Sequence, residues 1–147
     1  MQIPSYSTDD RATCLSIFRT NVPTYFVASD EVEFARFLDD LPAQFWVVHM
    51  DGQIRACGGI ATYHPEPDIA TLCWGMVALN SQRQGIGKAL LDFTKAQLPT
   101  GFWLRTNIEN DGARRFYMRE GLAHVEDKPH PRFPDNITSI YEWRSHD

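Results

Sequence analysis

Cysteine is scarce in this chain, long apolar runs are missing, and basic residues are outnumbered, and each shortage points away from a class of protein. Cys14, Cys57 and Cys73 are odd in number, far apart and form no C-x-x-C pair. That spacing argues against a disulfide framework and against a zinc site, and the three read as small buried residues. No segment approaches the roughly eighteen consecutive apolar residues of a membrane span. Met1-Gln2-Ile3-Pro4 has neither the basic start nor the apolar core of a secretory leader. The expected setting is cytoplasmic, with no membrane partner, and there the sequon Asn136-Ile137-Thr138 carries no meaning. Lys and Arg number 14 against 19 Asp and Glu, a formal net charge of −5, without a basic run, so nucleic acid is not an expected partner either.

What is there suits a folded domain. At 147 residues, 43% hydrophobic and 12% aromatic, the chain is long enough to bury most of its unfolded surface, and residues 1–147 are read as one domain. No internal repeat, linker or low-complexity tract divides it.

The stretch from Met76 to Leu91 organises the rest. An apolar run rich in strand formers (Leu72, Trp74, Met76, Val77) gives way to Asn80-Ser81, then to Gly85 and Gly87, then to helix formers (Lys88, Ala89, Leu90, Leu91). This spacing predicts strand, glycine turn and helix. A helix opening within Gln84–Gly87 leaves its first N–H groups unpaired and adds the positive end of its dipole, which suits a phosphate or pyrophosphate. Gly85 and Gly87 let the backbone touch such a ligand, and Arg83 and Lys88 add charge at the rim. A Walker loop is excluded, since only Ile86 separates the glycines and Ala89 follows Lys88. A dinucleotide fingerprint fits poorly, because Leu90 stands at its third small position and Arg105, Thr106 and Asn107 where its acidic residue belongs.

Residues 2–6 are expected to form a first strand. Ser7 or Thr8 caps a helix whose stripe is Cys14, Leu15 and Phe18, and Pro23 interrupts the pattern. A second helix starts at Ser29 or Asp30, with Asp30-x-x-Glu33 as a capping box and Phe34, Phe37, Leu38 and Leu41 on one face, and Pro42 ends it. Phe45–Met50 and Gln53–Tyr63 form a hairpin about Asp51-Gly52, and Gly58-Gly59 marks a bulge or close approach. His64–Asp68 is expected as a turn and Ile69–Leu79 as the strand that feeds the glycine motif. Phe102–Thr106 should then pair parallel to that strand after a crossover helix. Asn110–Glu120 reads as a helix capped by Asn110 or Asp111 and stopped by Gly121, followed by strands at Leu122–Glu126 and Ile137–Arg144. The fold class is a mixed α/β (α+β) domain, a three-layer arrangement about a twisted mixed sheet.

The spacing Gln82-x-x-Gly85-x-Gly87 after a strand resembles the acyl-CoA-binding motif of the GNAT N-acetyltransferase superfamily. Asn110-x-x-Ala113-x-x-Phe116-Tyr117-x-x-x-Gly121-Leu122 resembles a second signature of that superfamily, on the next helix and in the right order. The likeness extends over about residues 2–144, and its sharp motifs lie within 76–122.

The resemblance implies acetyl-CoA as co-substrate, no metal, and direct acetyl transfer to a primary amine of a small molecule or peptide. Met76, Val77 and Ala78 would hold the pantetheine arm with strand backbone. Gln82, Arg83, Gln84, Gly85, Ile86, Gly87 and Lys88 would hold the pyrophosphate, and Asn110 the arm. Tyr117 would protonate the departing thiolate, since a phenol stays protonated at neutral pH. The strand before the glycine motif carries Thr71, Leu72, Cys73 and Trp74 where some members place a carboxylate base. Asp68 and Glu66 at the strand entrance are the substitutes, with His64 and Glu109 behind them. As a metal site His64-x-Glu66-x-Asp68 is poor, with two prolines interposed and no distant fourth ligand. Tyr25, Phe26 and Phe133, beside Val22, His130 and Arg132, are expected to wall the acceptor site. The resemblance also admits a homodimer. The alternative to an enzyme is a non-catalytic CoA-binding module or scaffold of the same fold.

Overall fold

The computed structural model describes residues 1–41, 44–63, 66–131 and 133–145, and for residues 63 and 66–69 it describes the backbone. Six strands, β1 (Gln44–Met50), β2 (Gln53–Tyr63), β3 (Glu66–Val77), β4 (Gly101–Asn107), β5 (Ala123–Pro129) and β6 (Ile137–Arg144), form one sheet in the order β1-β2-β3-β4-β6-β5. The helices are α1 (Arg11–Thr20), α2 (Asp30–Asp40), α3 (Ile86–Gln97) and α4 (Asp111–Arg119). Asp51 and Gly52 both take positive φ, 56° and 76°, as a two-residue turn matched to the strand twist requires. The β3–α3–β4 crossover makes the one parallel pair among the described strands, and the other neighbours are antiparallel.

Alternation along the strands sets the layers. Cys57 and Met76 face α1 and α2, where Cys14, Leu15, Phe18, Phe34 and Leu38 pack on them with Phe45 and Val47. Ala56 and Val48 face the other way, against Ile86 and Leu90 of α3. Leu91 joins Leu72, Phe102, Leu104, Leu122 and Tyr141, and Phe116 and Tyr117 of α4 pack on that group. Each fully buried aromatic side chain contributes about 1.5–3 kcal/mol of apolar burial, so both faces of the sheet are secured. All three cysteines are buried and free.

Several local expectations are corrected. Residues 2–6 make only two isolated bridges, Gln2↔His49 and Ser5↔Trp46, because Pro4 between them has no N–H to continue a ladder. The cap of α2 is Ser29 rather than Asp30, without a side-chain capping bond. Leu41 leaves the helical face: it closes α2 in the left-handed region at φ 42° and is 38% exposed. β3 begins at Glu66, three positions before the expected Ile69, and ends at Val77, before a 3-10 turn at Leu79–Ser81. β5 runs on to Pro129. Gly59 is a close approach, since a Cβ there would sit 2.6 Å from the Gln44 carbonyl oxygen and from Phe45 Cδ1. His64, Pro65 and Arg132 lie outside the described residues.

Candidate active site

The site begins with an irregularity in β3. Cys57 pairs with Met76 but Gly59 with Cys73, so two steps along β2 match three along β3. The extra residue is accommodated at Trp74, which takes φ 52°, a conformation that costs a bulky side chain about 1–3 kcal/mol. Packing offsets that cost: the Trp74 ring lies 4.9 Å from Phe34, 6.0 Å from Phe26 and 6.3 Å from Phe37, centroid to centroid. Cys57 Sγ donates to the Trp74 carbonyl at 3.8 Å, and burial pushes that thiol well above its ordinary pKa, so it stays protonated to do so.

At the bulge β3 has already left β4. Their parallel register holds Thr71↔Trp103 and Leu72↔Leu104 and goes no further. Gly75, Met76 and Val77 therefore stand splayed from β4. One of their groups is already engaged, because the Val77 carbonyl accepts from Asn21 Nδ2 at 3.0 Å and from Gln82 Nε2 at 3.3 Å.

The glycine turn follows. Arg83 and Gly85 both take left-handed φ, 65° and 80°, and Gly85 is the N-cap of α3, with no side-chain cap on the helix's first N–H groups. Nothing lies within 4 Å of a Cβ built on Gly85, so its requirement is conformational. At Gly87 a Cβ would meet Phe116 Cζ at 3.4 Å, which places the turn against α4. Buried Ile86 anchors the turn from below, while Arg83, Gln84 and Lys88 are exposed around it. Lys88 is shared with Asp92 at 3.2 Å and Glu120 at 3.3 Å, and these carboxylates hold its ammonium above its ordinary pKa.

The second motif faces the turn. Asn110 is the N-cap of α4, yet its side chain makes no capping bond and instead donates inward, to Thr106 Oγ1 at 3.1 Å and to the Tyr25 carbonyl at 3.4 Å. Tyr25 also donates its hydroxyl to Gln82 Oε1 at 3.3 Å, so it touches both motifs. Tyr117 packs its ring on Tyr141 at 5.9 Å, and Tyr141 is itself fixed by Arg114 Nε at 2.9 Å. Burial, followed by the neighbouring Tyr141 and Tyr25, pushes the Tyr117 phenol up to about 12. A group so poised holds its proton throughout the physiological range and can only act as a donor there.

The structure thus draws together Met76–Ala78, Gln82–Lys88, Asn110, Tyr117 and Tyr25. Phe26 stands beside them on Trp74. Phe133 lies in the turn before β6, where its ring is 5.3 Å from His130 and its N–H meets His130 Nδ1 at 3.3 Å. Glu66 and Asp68 lie in β3, their side chains outside the description, and Glu109 is exposed at the β4–α4 junction. Among the described residues no group of three His, Cys, Asp or Glu side chains converges to hold a metal ion, and no helix is long and apolar enough to cross a membrane. Sequence reasoning missed Trp74 and Asn21; the one available signal for the first was a bulky residue followed by Gly75 in mid-strand.

A family model described as acetyltransferase (GNAT) family matches residues 14–122. The chain belongs to that family. No curated protein sequence matches it significantly. Among solved structures, a GNAT-family protein from Desulfovibrio desulfuricans superposes with a TM-score of 0.83 at 15% identity, over 97% of this chain and 98% of that one. The ribosomal-protein-S18-alanine N-acetyltransferase of Escherichia coli gives 0.76 at 21% identity, over 99% and 95%. An aminoglycoside 6'-N-acetyltransferase in complex with coenzyme A gives 0.76 at 11% identity, over 98% and 97%. At these identities the likeness is one of GNAT fold: a mixed six-stranded sheet flanked by helices.

Proposed function

We propose that this GNAT protein is an N-acetyltransferase that moves an acetyl group from acetyl-CoA to a primary amine of a small molecule or peptide, in one step within a ternary complex. The observation that carries this reading is the short β3–β4 register, which ends beside a glycine turn at a helix start and a protonated, half-buried tyrosine. The turn's N–H groups, with Arg83 and Lys88 at its rim, suit the diphosphate, and Gly85 keeps the backbone open to it. Met76, Val77 and Ala78 offer strand backbone to the pantetheine arm and to the oxygen that gains charge as the amine attacks. Asn110 steadies the arm, and Tyr117 gives its proton to the departing sulfur. Asp68 and Glu66 are the groups proposed to take the amine's proton through water, and Tyr25, Phe26 and Phe133 to wall the acceptor. Two structural neighbours named above act on amines, alanine in one and an aminoglycoside in the other, which supports an amine acceptor here. In this reading the whole chain, 1–147, is one cytoplasmic catalytic unit, with neither metal, membrane nor nucleic acid as a partner, and a homodimer is compatible with it.

The test is thermal denaturation of the purified protein with acetyl-CoA, beside Gly85→Glu. A ligand at a hundred times its Kd stabilises the folded state by about 2.7 kcal/mol, so binding is read directly as a rise in Tm that the variant lacks. A screen of amines for release of free CoA thiol follows, with Tyr117→Phe as control. No rise at millimolar acetyl-CoA sinks the enzyme reading.

A further inference from the structure

Helix α4 bears Asn110 at its cap and Tyr117 near its end, and its Phe116 meets Gly87 of the glycine turn, yet none of its residues is fully buried. Apolar burial alone therefore fixes its place on the sheet weakly. Tyr117 shares that weakness. No described residue hydrogen-bonds its hydroxyl, and its ring is placed by packing, 5.9 Å from Tyr141 and 5.7 Å from Phe116. Tyr141, by contrast, is held on every side. It is fully buried on β6, the middle of the three strands β4, β6 and β5, between Leu104 and His124, and the His124 ring meets it edge-on at 5.4 Å. Its hydroxyl accepts from Arg114 Nε at 2.9 Å. The guanidinium is itself oriented: Arg114 Nη1 donates to the Ile108 carbonyl at 3.3 Å and lies 3.7 Å from Asp111 Oδ1, and Tyr141 is the leading cause that holds Arg114 above its ordinary pKa. Arg114 and Tyr117 are three positions apart on α4 and so share a face. The helix, the guanidinium, the Tyr141 phenol and the Tyr117 ring thus form a closed circuit.

We propose that Arg114 and Tyr141 are the positioning residues of the donor site: the bond between them fixes α4 against β6 and so aims the Tyr117 hydroxyl at the CoA sulfur. This rests on the acetyl-CoA reading above. A hydrogen bond weakens steeply as its angle and length drift, so a phenol with no bond of its own serves only if its ring cannot slide. A bond from a guanidinium is of the stronger, charge-assisted kind, and here it bears on the ring that Tyr117 leans against. Both residues act through Tyr117 and take no part in the proton's transfer.

The experiment needs no acceptor. CoA labelled with carbon-13 at the methylene beside sulfur is bound to the purified protein, with binding followed as a rise in Tm. Its NMR shift is then titrated against pH, since that carbon moves as the thiol gives up its proton. A hydrogen bond from Tyr117 favours the thiolate, so CoA on wild type is expected to ionise about one pH unit below CoA on Tyr117→Phe. Tyr141→Phe, which keeps the ring and deletes the bond, and Arg114→Met are each expected to lose half or more of that difference, and Arg114→Lys less. The double variant should lose no more than the greater of the two singles, because one bond is removed either way. The other ionising groups about the two rings, Tyr25, His124 and Asp127, are present in every variant, so the differences report on Tyr117. Wild-type midpoints in Tyr141→Phe and Arg114→Met, whatever their Tm, overturn the positioning role and leave the donor site intact; should Arg114→Met not fold, Tyr141→Phe decides alone. A wild-type midpoint in Tyr117→Phe overturns the role of Tyr117, and that of the pair with it. Absence of any Tm rise with CoA in wild type overturns the donor reading, and the positioning role with it.

Discussion

Asn21 and Gln82, 61 positions apart, meet amide to amide, with Gln82 Nε2 donating to Asn21 Oδ1 at 3.1 Å. The pair joins the end of α1 to the start of the glycine turn, and both side chains also hold the Val77 carbonyl. Asn21→Ala removes the amide from a buried site, so the Ile17 and Val77 carbonyls each lose a donor and Gln82 Nε2 loses an acceptor. The expected loss is about 2–4 kcal/mol, read as a fall in Tm of about 5–12 °C.

Tyr117→Phe separates chemistry from folding. No described residue hydrogen-bonds its hydroxyl, so removing it breaks no hydrogen bond and Tm should stay level. Acetyl transfer should fall about a hundredfold in kcat with little change in KM for acetyl-CoA. Unchanged turnover in a thiol-release assay would remove Tyr117 from the reaction.

The pH dependence of Tyr117 has a defined sign. Its folded pKa is about 12, against an ordinary value of 10.0. Below pH 10 both folded and unfolded states hold the proton and the group is neutral to stability. Between the two values the unfolded chain gives up its proton first, so stability falls as pH rises, by up to about 2–3 kcal/mol in all. Urea unfolding at pH 9 and pH 11 should show about half of that loss in wild type and a smaller one in Tyr117→Phe. Any alkaline decline in turnover below pH 10 must then arise from another group.

At Trp74 the usual order of Ala and Gly should reverse. Both substitutions lose the aromatic packing, about 3–5 kcal/mol, which exceeds any relief of backbone strain. Because φ is 52°, glycine fits better than alanine, by about 1 kcal/mol, although in an ordinary strand glycine is the poorer residue. Urea titration of Trp74→Gly and Trp74→Ala gives the difference, and a more stable Ala variant would contradict the bulge.

The sequence made the local devices legible. Asp51-Gly52 turned as a two-residue hairpin must, Gly85 took the left-handed angle a helix start needed, and Gly121 stopped α4 at φ 94°. The crossover from β3 to β4 followed from the length of α3. What stayed hidden depends on residues distant in the chain. Nothing near Gln82 announces that its side chain will turn back to Asn21, and nothing near Asn110 announces that it will leave its own helix to bond Tyr25. Leu41 obeyed helical spacing yet left the buried face because α2 needed a terminating residue in the left-handed region. The strand expected at residues 2–6 failed for a local reason, Pro4, whose missing donor leaves bridges on either side of it.

The two residue pairs that join β3 to β4 also make a mechanical seam. The sheet is two three-stranded halves, β1-β2-β3 and β4-β6-β5, tied in the ladder, among the described residues, at Thr71↔Trp103 and Leu72↔Leu104 and splinted by α3. Each half is laced by antiparallel ladders of six or more residue pairs, so a rupture of the sheet runs down that line before any other. A molecule seated in the splay would bridge the halves as a rivet does two plates, and resistance to pulling or proteolysis across the seam would then rise together with its occupancy.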